Sequence, residues 1–352
     1  MSLVDGMAAI CLETTSRIPR TEYSAENHWA LVKTVTGIDV GHESDVKTQQ
    51  MARSAFIKAW NYDFKWSTYL STNIMGDIYT KMGHATYASG GVDYSAETYC
   101  PFKDVEDVLA FDPMEAYGEV DIQAATAMLN RHYEENMTLY PECVNMTGSY
   151  STCVSGLIDM FGWELLLEAA GTDPKQFGYV TNRYGEYIRQ YFHALAGTKA
   201  PVIMVHDDIC WTSGQIFDTE WYRAYVFPNL KKHISILLDS GKKVIFTSDG
   251  TYTMFLEDLA KTGVHGFVME PTTDLAYAVE KFGKTHVLIG NADTRILLLG
   301  TKEDIYNEVK RCMDIGKMCN GFFMAVGNHI PSNTPVENCL YYNDCYEKLS
   351  KR

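Results

Sequence analysis

Five short runs in the second half of the chain end on side chains that can move protons, bind cations or accept hydrogen bonds: PVIMVHDD (201–208), KVIFTSDG (243–250), GFVMEP (266–271), HVLIGNAD (286–293) and GFFMAVGNH (321–329). Each is a near-continuous apolar stretch, as expected of a strand covered on both faces, and helical patterns lie between them. In α/β barrels, chemistry collects at the C-terminal strand ends. That rule selects His206, Asp207, Asp208, Ser248, Asp249, Glu270, Asn291, Asp293, Asn328 and His329. Tyr23, Trp66, Tyr69 and Tyr150 follow earlier strands and are aromatic candidates for substrate contact. Five acids and two histidines at one mouth cannot all stay charged without partners, so a polar site with displaced pKa values is expected, suited to acid–base work or metal binding. Each pick has a structural alternative. Asp207 or Asp208 could cap the following loop, Asp249-Gly250 is a common turn dipeptide, Glu270 precedes a proline in extended backbone, and His329 follows a Gly-Asn bend.

The elements that must carry these residues read clearly from about residue 200. Helical patterns cover 219–241, 251–263, 273–283 and 301–316, and Gly241, Gly263, Gly283 and Gly316 stand where a left-handed residue closes a helix. Thr334-Pro335-Val336-Glu337 has the form of a capping box, and Thr301…Asp304 is a second one. In the first half, helices are expected around 24–36, 45–60, 121–138, 155–170 and 176–196, with strands near 62–66 and 142–148. Residues 67–120, rich in Gly, Tyr and Asp over 83–102, fit a hairpin or a long loop near the mouth. Five parallel strands with crossovers need a wide sheet or a closed barrel.

With 352 residues, 46% of them hydrophobic, the chain can bury a large single core. A net charge of −15 disfavours nucleic-acid partners and adhesion to anionic lipid. Nine widely spaced cysteines without a CxxC read as reduced thiols of a cytoplasmic protein. The N-terminal MSLVDGMAAICLE lacks a cationic region before its short apolar patch, and no window approaches 18 uninterrupted apolar residues, so neither export nor a membrane span is expected. No GxGxxG after a strand, Walker loop, GxSxG elbow or HExxH is present, which leaves the common dinucleotide, nucleotide, serine-hydrolase and zincin mechanisms without their residues.

The segments VHDDICWTSG (205–214), LKKHISILLDSGKKVIFTSDG (230–250) after an internal Phe227-Pro228, GVHGFVMEP (263–271), LIGNADTRILLLGTKEDI (288–305) and GNHIPSNTPVEN (327–338) occur in the order found in the uroporphyrinogen decarboxylase superfamily. The chain resembles that superfamily over these segments and at RIPRTEYSAENHWALVKTVTG (17–37). The resemblance implies a single (β/α)8 TIM-type barrel over 1–352, with a helical N-terminal extension over about 1–60, a barrel core from about 61, and its site in a C-terminal cleft.

Two chemistries occur in the superfamily. The decarboxylases carry an Arg-rich N-terminal signature for a polycarboxylated tetrapyrrole, which this sequence lacks. The corrinoid-dependent methyltransferases pass methyl groups between small methyl compounds and a corrinoid (cobalamin) held on a partner protein. Their coenzyme M branch holds zinc through His-x-Cys and a later Cys; here Thr247-Ser248-Asp249 and Asn328-His329 stand at those places. The resemblance therefore implies the demethylating half-reaction, from a small methylated donor such as an aryl methyl ether or a methylamine to the corrinoid. Such a reaction needs acid assistance to the leaving group. His329, Asp249, Asp207 and Glu270 are the expected catalytic residues, and Tyr23, Trp66, Tyr69, Tyr150, His206, Asp208, Asn291 and Asp293 the expected substrate contacts. A zinc ion, if bound, would take His206, Asp208, Glu270 and His329, or a looser set of Asp293, Glu308 and His329. A homodimer is an admissible assembly. Decarboxylation of uroporphyrinogen is the alternative reading, and a non-catalytic binding barrel the third.

Overall fold

Alternation along short strands decides the architecture. The computed structural model describes residues 2–82, the backbone of 85–88 and 91–94, and residues 98–352. Eight extended staves run parallel around one axis. The first is the stretch around Arg20. The others are β1 (Phe64–Lys65), β2 (Val144–Asn145) continued by β3 (Thr147–Ser149), β4 (Val202–His206), β5 (Lys243–Thr247), β6 (Gly266–Met269), β7 (Val287–Gly290) and β8 (Phe322–Phe323). Phe64 pairs with Val144, Gly148 with Met204, Met204 with Ile245, Ile245 with Gly266, Phe267 with Leu288 and Ile289 with Phe323. A parallel bridge from Arg20 to Met324 closes the ring, and the Asp63 N–H donates to the Arg20 carbonyl at 2.8 Å on the other side. The fold is a (β/α)8 barrel, and its wall begins near residue 19, inside the stretch that the sequence suggested was a helical extension.

Alternate residues of the staves fill the interior: Trp66, Met146, Met204, Ile245, Ile289 and Phe323 belong to one buried cluster. Helix α1 (Leu3–Ile10) plugs the N-terminal end, burying Ala9 and Ile10 in that cluster. Gly6 has to be glycine there, because a Cβ would lie 2.2 Å from the Asp63 carbonyl oxygen. Residues of the opposite parity pack outward against the helices, which include α2 (Trp29–Thr36), α3 (Val46–Ala59), α4 (Ile122–Leu139), α5 (Val154–Thr172), α6 (Pro174–Ala196), α7 (Phe227–Asp239), α8 (Leu275–Phe282), α9 (Lys302–Gly316) and α10 (Val336–Leu349).

Several local expectations change. Thr334-Pro335-Val336-Glu337 forms no capping box: Pro335 stands at the N-cap of α10, and it has no side-chain acceptor to offer. The Thr301–Asp304 box at α9 is complete. Gly241 and Gly263 adopt the left-handed conformation, but Gly283 stays right-handed and Gly316 is still within α9. The helical run over 219–241 contains a π turn, Tyr222–Val226, just before Phe227-Pro228; proline supplies no N–H and pushes the preceding carbonyls aside. Within 67–120, the hairpin reading holds for the described backbone, where 85–88 pairs antiparallel with 91–94.

Barrel closure rests on buried charge. Glu22 and Arg20 are both fully buried, with Arg20 Nε 3.1 Å from Glu22 Oε1. Glu22 also accepts from the Val326 N–H at 3.0 Å and the Tyr342 hydroxyl at 2.8 Å, tying the first stave to the end of the last one and to α10. Replacing Glu22 by Leu strands the Arg20 charge in the core; a loss of about 3–5 kcal/mol is expected from urea unfolding, against a small change for removal of the exposed Lys33–Asp39 pair.

Candidate active site

The inward parity of β4 runs through Met204 to His206 and Asp208, and turns Asp207 outward. Asp207 is fully buried behind the wall, where its Oδ1 accepts the Ser155 N–H at the start of α5 at 2.8 Å, and burial pushes its carboxyl up to about 7. It does not reach the mouth. On β5, Ile245 leads inward to Asp249, which stands open to solvent at the mouth.

Three residues converge. His206 Nε2 lies 3.2 Å from Asp208 Oδ1, and His206 Nδ1 lies 3.1 Å from the Tyr150 carbonyl oxygen. The Asp249 N–H donates to Asp208 Oδ1 at 3.0 Å, and donor atoms of His206, Asp208 and Asp249 all fall within 4.8 Å of one another. Burial opposes a charged imidazole, but Asp208 beside it and Asp249 nearby prevail and raise His206 to about 9. Burial likewise works against the Asp208 carboxylate, and the His206 charge overcomes it, leaving Asp208 below its ordinary range. Asp249 goes the other way: partial desolvation by the walls of the open mouth, then repulsion from Asp208 and Glu270, lifts it to about 7. The trio thus holds an ion pair next to a carboxyl that is substantially protonated at neutral pH.

Glu270 sits beside this trio as a brace. Its Oε2 accepts the Gly250 N–H at 2.8 Å and its Oε1 accepts from the Asn328 side chain, which fixes the turn that presents Asp249. His329 belongs to a neighbouring recess of about 290 Å3 that also contains Asp293 and Arg295, and its Nδ1 is 2.9 Å from Ser24 Oγ. Asn291 is buried, donating to the Thr273 carbonyl at 2.9 Å and accepting from Arg311 at 3.0 Å. Asp293 caps the following short helix and grips the Arg295 guanidinium at 2.6 Å. Tyr23 and Trp66 stack at 4.8 Å as the floor beneath the mouth, and Tyr69 packs on His132 at 4.7 Å. Of the aromatic candidates, Tyr150 lines the cleft that His206 and Asp208 share.

That cleft, of about 450 Å3, places Tyr150, His206 and Asp208 with Ser71, Thr72, Met82, Asp159 and Trp163. The last five escaped sequence reasoning, since three fall in the 67–120 region, which was given no elements, and two in the expected helix over 155–170, away from any strand end. One signal was available: Gly162 interrupts the apolar run of α5, where its φ of 72° breaks the helix immediately before Trp163.

For a divalent ion the fitting set is His206, Asp208 and Asp249, because Nδ1–H of His206 can donate to the Tyr150 carbonyl and leave Nε2 for the metal. Glu270 and His329, expected as ligands, are occupied elsewhere, and the described residues bring no cysteine to this group. The Asp293, Glu308 and His329 set does not converge either: Glu308 is held by Arg311 at 2.7 Å and by the Asp293 N–H at 2.9 Å.

The family described as uroporphyrinogen decarboxylase (URO-D) matches residues 88–349. A uroporphyrinogen decarboxylase of Geobacter sulfurreducens is 29% identical over 163 residues, 46% of either chain, and one of Psychromonas ingrahamii is 24% identical over 257 residues, 70% of this chain and 69% of that one. A methylcobamide:CoM methyltransferase of Methanosarcina acetivorans is 27% identical over 156 residues, 44% of either chain. The chain thus spans about half the length of most of the curated relatives it matches. Among solved structures, a methyltransferase from Methanosarcina mazei shares the fold with a TM-score of 0.65 at 16% identity, covering 99% of both chains. No helix among the described residues is long and apolar enough to cross a membrane.

The electrostatics of the trio predict a titration. His206 carries a raised folded-state pKa, so its contribution to stability is complete below the unfolded value of about 6.5 and is lost as pH rises through about 9. Imidazole NMR shifts should show His206 titrating near 9, and Asp208→Asn should bring that midpoint down by at least a unit; an unchanged midpoint would break the pairing.

Proposed function

The chain belongs to the uroporphyrinogen decarboxylase family, and from that premise we propose that it transfers a methyl group from a small methylated donor to the cobalt of a corrinoid carried by a partner protein. The observation that carries this reading is the Asp249 carboxyl, lifted to about 7 and braced beside the His206–Asp208 pair at an open mouth. The names of the methyltransferase relatives support it.

A methyl ether holds its carbon on an oxygen that leaves poorly as an anion. The bound donor would lie in the cleft against Tyr150 and Trp163, with its ether oxygen toward the edge where Asp249, itself outside the cleft lining, brings a carboxylate oxygen within 4.8 Å of His206 and Asp208. As the carbon–oxygen bond breaks, its electron pair stays on oxygen, and Asp249 delivers its proton there, so that a neutral alcohol or phenol departs. The resulting carboxylate is steadied by the His206 cation and regains a proton from solvent, to which Asp249 is exposed. A corrinoid presented at the mouth would supply the Co(I) electron pair that takes up the methyl carbon as its bond to oxygen breaks. Exposed Tyr150 and Trp211 leave that face open to a second protein. A divalent ion held by the same three side chains would supply Lewis-acid polarisation of the leaving oxygen.

The decarboxylase alternative rests on the names of several relatives. A substrate with many carboxylates wants unpaired Arg or Lys forks in the cleft. Here Arg295 is held by Asp293, and Arg311 by Glu308, while the trio and Glu270 supply acids.

Single-turnover methylation of a reduced corrinoid, followed by its visible spectrum with aryl ethers and methylamines as donors, tests the reading. Transfer should occur with an ether and slow as pH rises through about 7, because the acid form of Asp249 is then lost. Asp249→Asn should cost about 100-fold or more in kcat with the fold intact. Coproporphyrinogen formed from uroporphyrinogen without methyl transfer would establish the decarboxylase instead, and silence in both assays would leave a binding barrel.

A further inference from the structure

A methylamine or a simple alkyl ether would leave most of the 450 Å3 cleft beside the trio unfilled, and the lining says what else the donor carries. Met82, Ile158 and Trp163 form an apolar wall. The Trp163 ring is placed by the helix break at Gly162 and by the Trp211 ring, 5.7 Å away at 46°. Ser71 and Thr72 line the same cleft, half-buried, and neither hydroxyl has a hydrogen-bond partner among the described residues. The remaining polar lining is committed: Ser155 Oγ accepts the Asp208 N–H at 2.7 Å, the Asp159 carboxylate accepts from the Ser151 hydroxyl, and His206 pairs with Asp208.

The order of the staves around the mouth sets where these groups stand. Ser71 and Thr72 follow the stave of β1, whose Leu70 forms a parallel bridge to Ser149; β3 pairs with β4, and β4 with β5. Tyr150 and the His206–Asp208 pair therefore lie between the two uncommitted hydroxyls and Asp249. Three steps of about 4.8 Å, shortened by the curvature of the wall, separate the two ends by about 10–14 Å. One hydrogen bond of about 2.8 Å at either end leaves about 5–8 Å, the span between oxygen-bearing substituents on opposite sides of a benzene ring. An anionic substituent would be repelled by the Asp159 and Asp208 carboxylates that line the cleft, so the group at the hydroxyl end is uncharged. Resting on the methyl-transfer reading, we propose that the donor is an aromatic methyl ether with an uncharged hydroxyl-bearing substituent across the ring from its methoxyl. Trp163 supplies the face for the ring, Ser71 and Thr72 bind the substituent, and these three residues determine donor choice.

Calorimetric titration of the full chain with 4-methoxybenzyl alcohol, its 2-methoxy isomer, 4-methoxybenzoate and methoxybenzene reads that choice without turnover. The 4-methoxy alcohol should bind saturably and about tenfold more tightly than the other three. Ser71→Ala combined with Thr72→Val should bring its affinity down to that of methoxybenzene, whose own affinity stays within about twofold. Trp163→Leu should weaken both by about tenfold, with unchanged thermal unfolding as the control for folding in either variant. Absence of binding by the 4-methoxy alcohol would overturn the proposal, as would equal binding of any of the other three, a preference that survives the double substitution, or full affinity in Trp163→Leu. Binding in the expected order without methyl transfer to the corrinoid would sink the reaction and leave the ligand class standing. Methyl transfer at equal rates from all four would keep the reaction and overturn the ligand class.

Discussion

The barrel depends on how its seam is closed. The first stave forms no regular strand and meets the last through a single bridge at Arg20 and Met324. What a ladder does elsewhere is done here by Glu22, which accepts from the Val326 backbone and the Tyr342 hydroxyl while holding Arg20. The Arg20 guanidinium in turn lies 4.2 Å from the Trp60 ring and 4.8 Å from that of Tyr346, so α3 and α10 are gathered onto the same seam. Charges this deeply buried are costly unless every partner is in place. Their geometry therefore specifies one register of closure, and with it the height at which all eight staves reach the mouth.

Register governs the chemistry. Because interior side chains recur every second residue, the position of Met204 and Ile245 in the wall determines that His206, Asp208 and Asp249 emerge together. Once they share a mouth, their charges sort one another. One acid pairs with the imidazole, and the next acid, repelled by its neighbours, keeps its proton. Glu270 holds the turn that makes this possible through the Gly250 N–H, a contact between residues twenty positions apart. An acid and an ion pair thus arise side by side from three residue types that, apart, would have ordinary titrations.

Much of the architecture was legible from the chain. β4 to β8 fall within the apolar runs that mark them, and α9 begins at its capping box, because burial on both sheet faces and cap chemistry are local demands. The stave around Arg20 was not legible. It lacks a β-branched run and owes its extended form to partners about 40 and 300 residues away. Ser71, Thr72 and Met82 were missed for a related reason, since their segment has little periodicity and takes its place from contacts such as the Tyr187 hydroxyl on the Ile74 carbonyl.

By itself the sequence determined that this is a barrel of the uroporphyrinogen decarboxylase family and that acids and histidines gather at its strand ends. Only the tertiary structure decided which of them come together in space. PVIMVHDD is apolar on both faces, so nothing in the pattern distinguishes the inward His206 and Asp208 from the outward Asp207. Only the packing of Met204 in the interior and of Asp207 against the start of α5 makes that choice. The separation of His329 and Asp293 from the trio follows from where the β7 and β8 ends lie around the ring, a distance in space that sequence order does not encode.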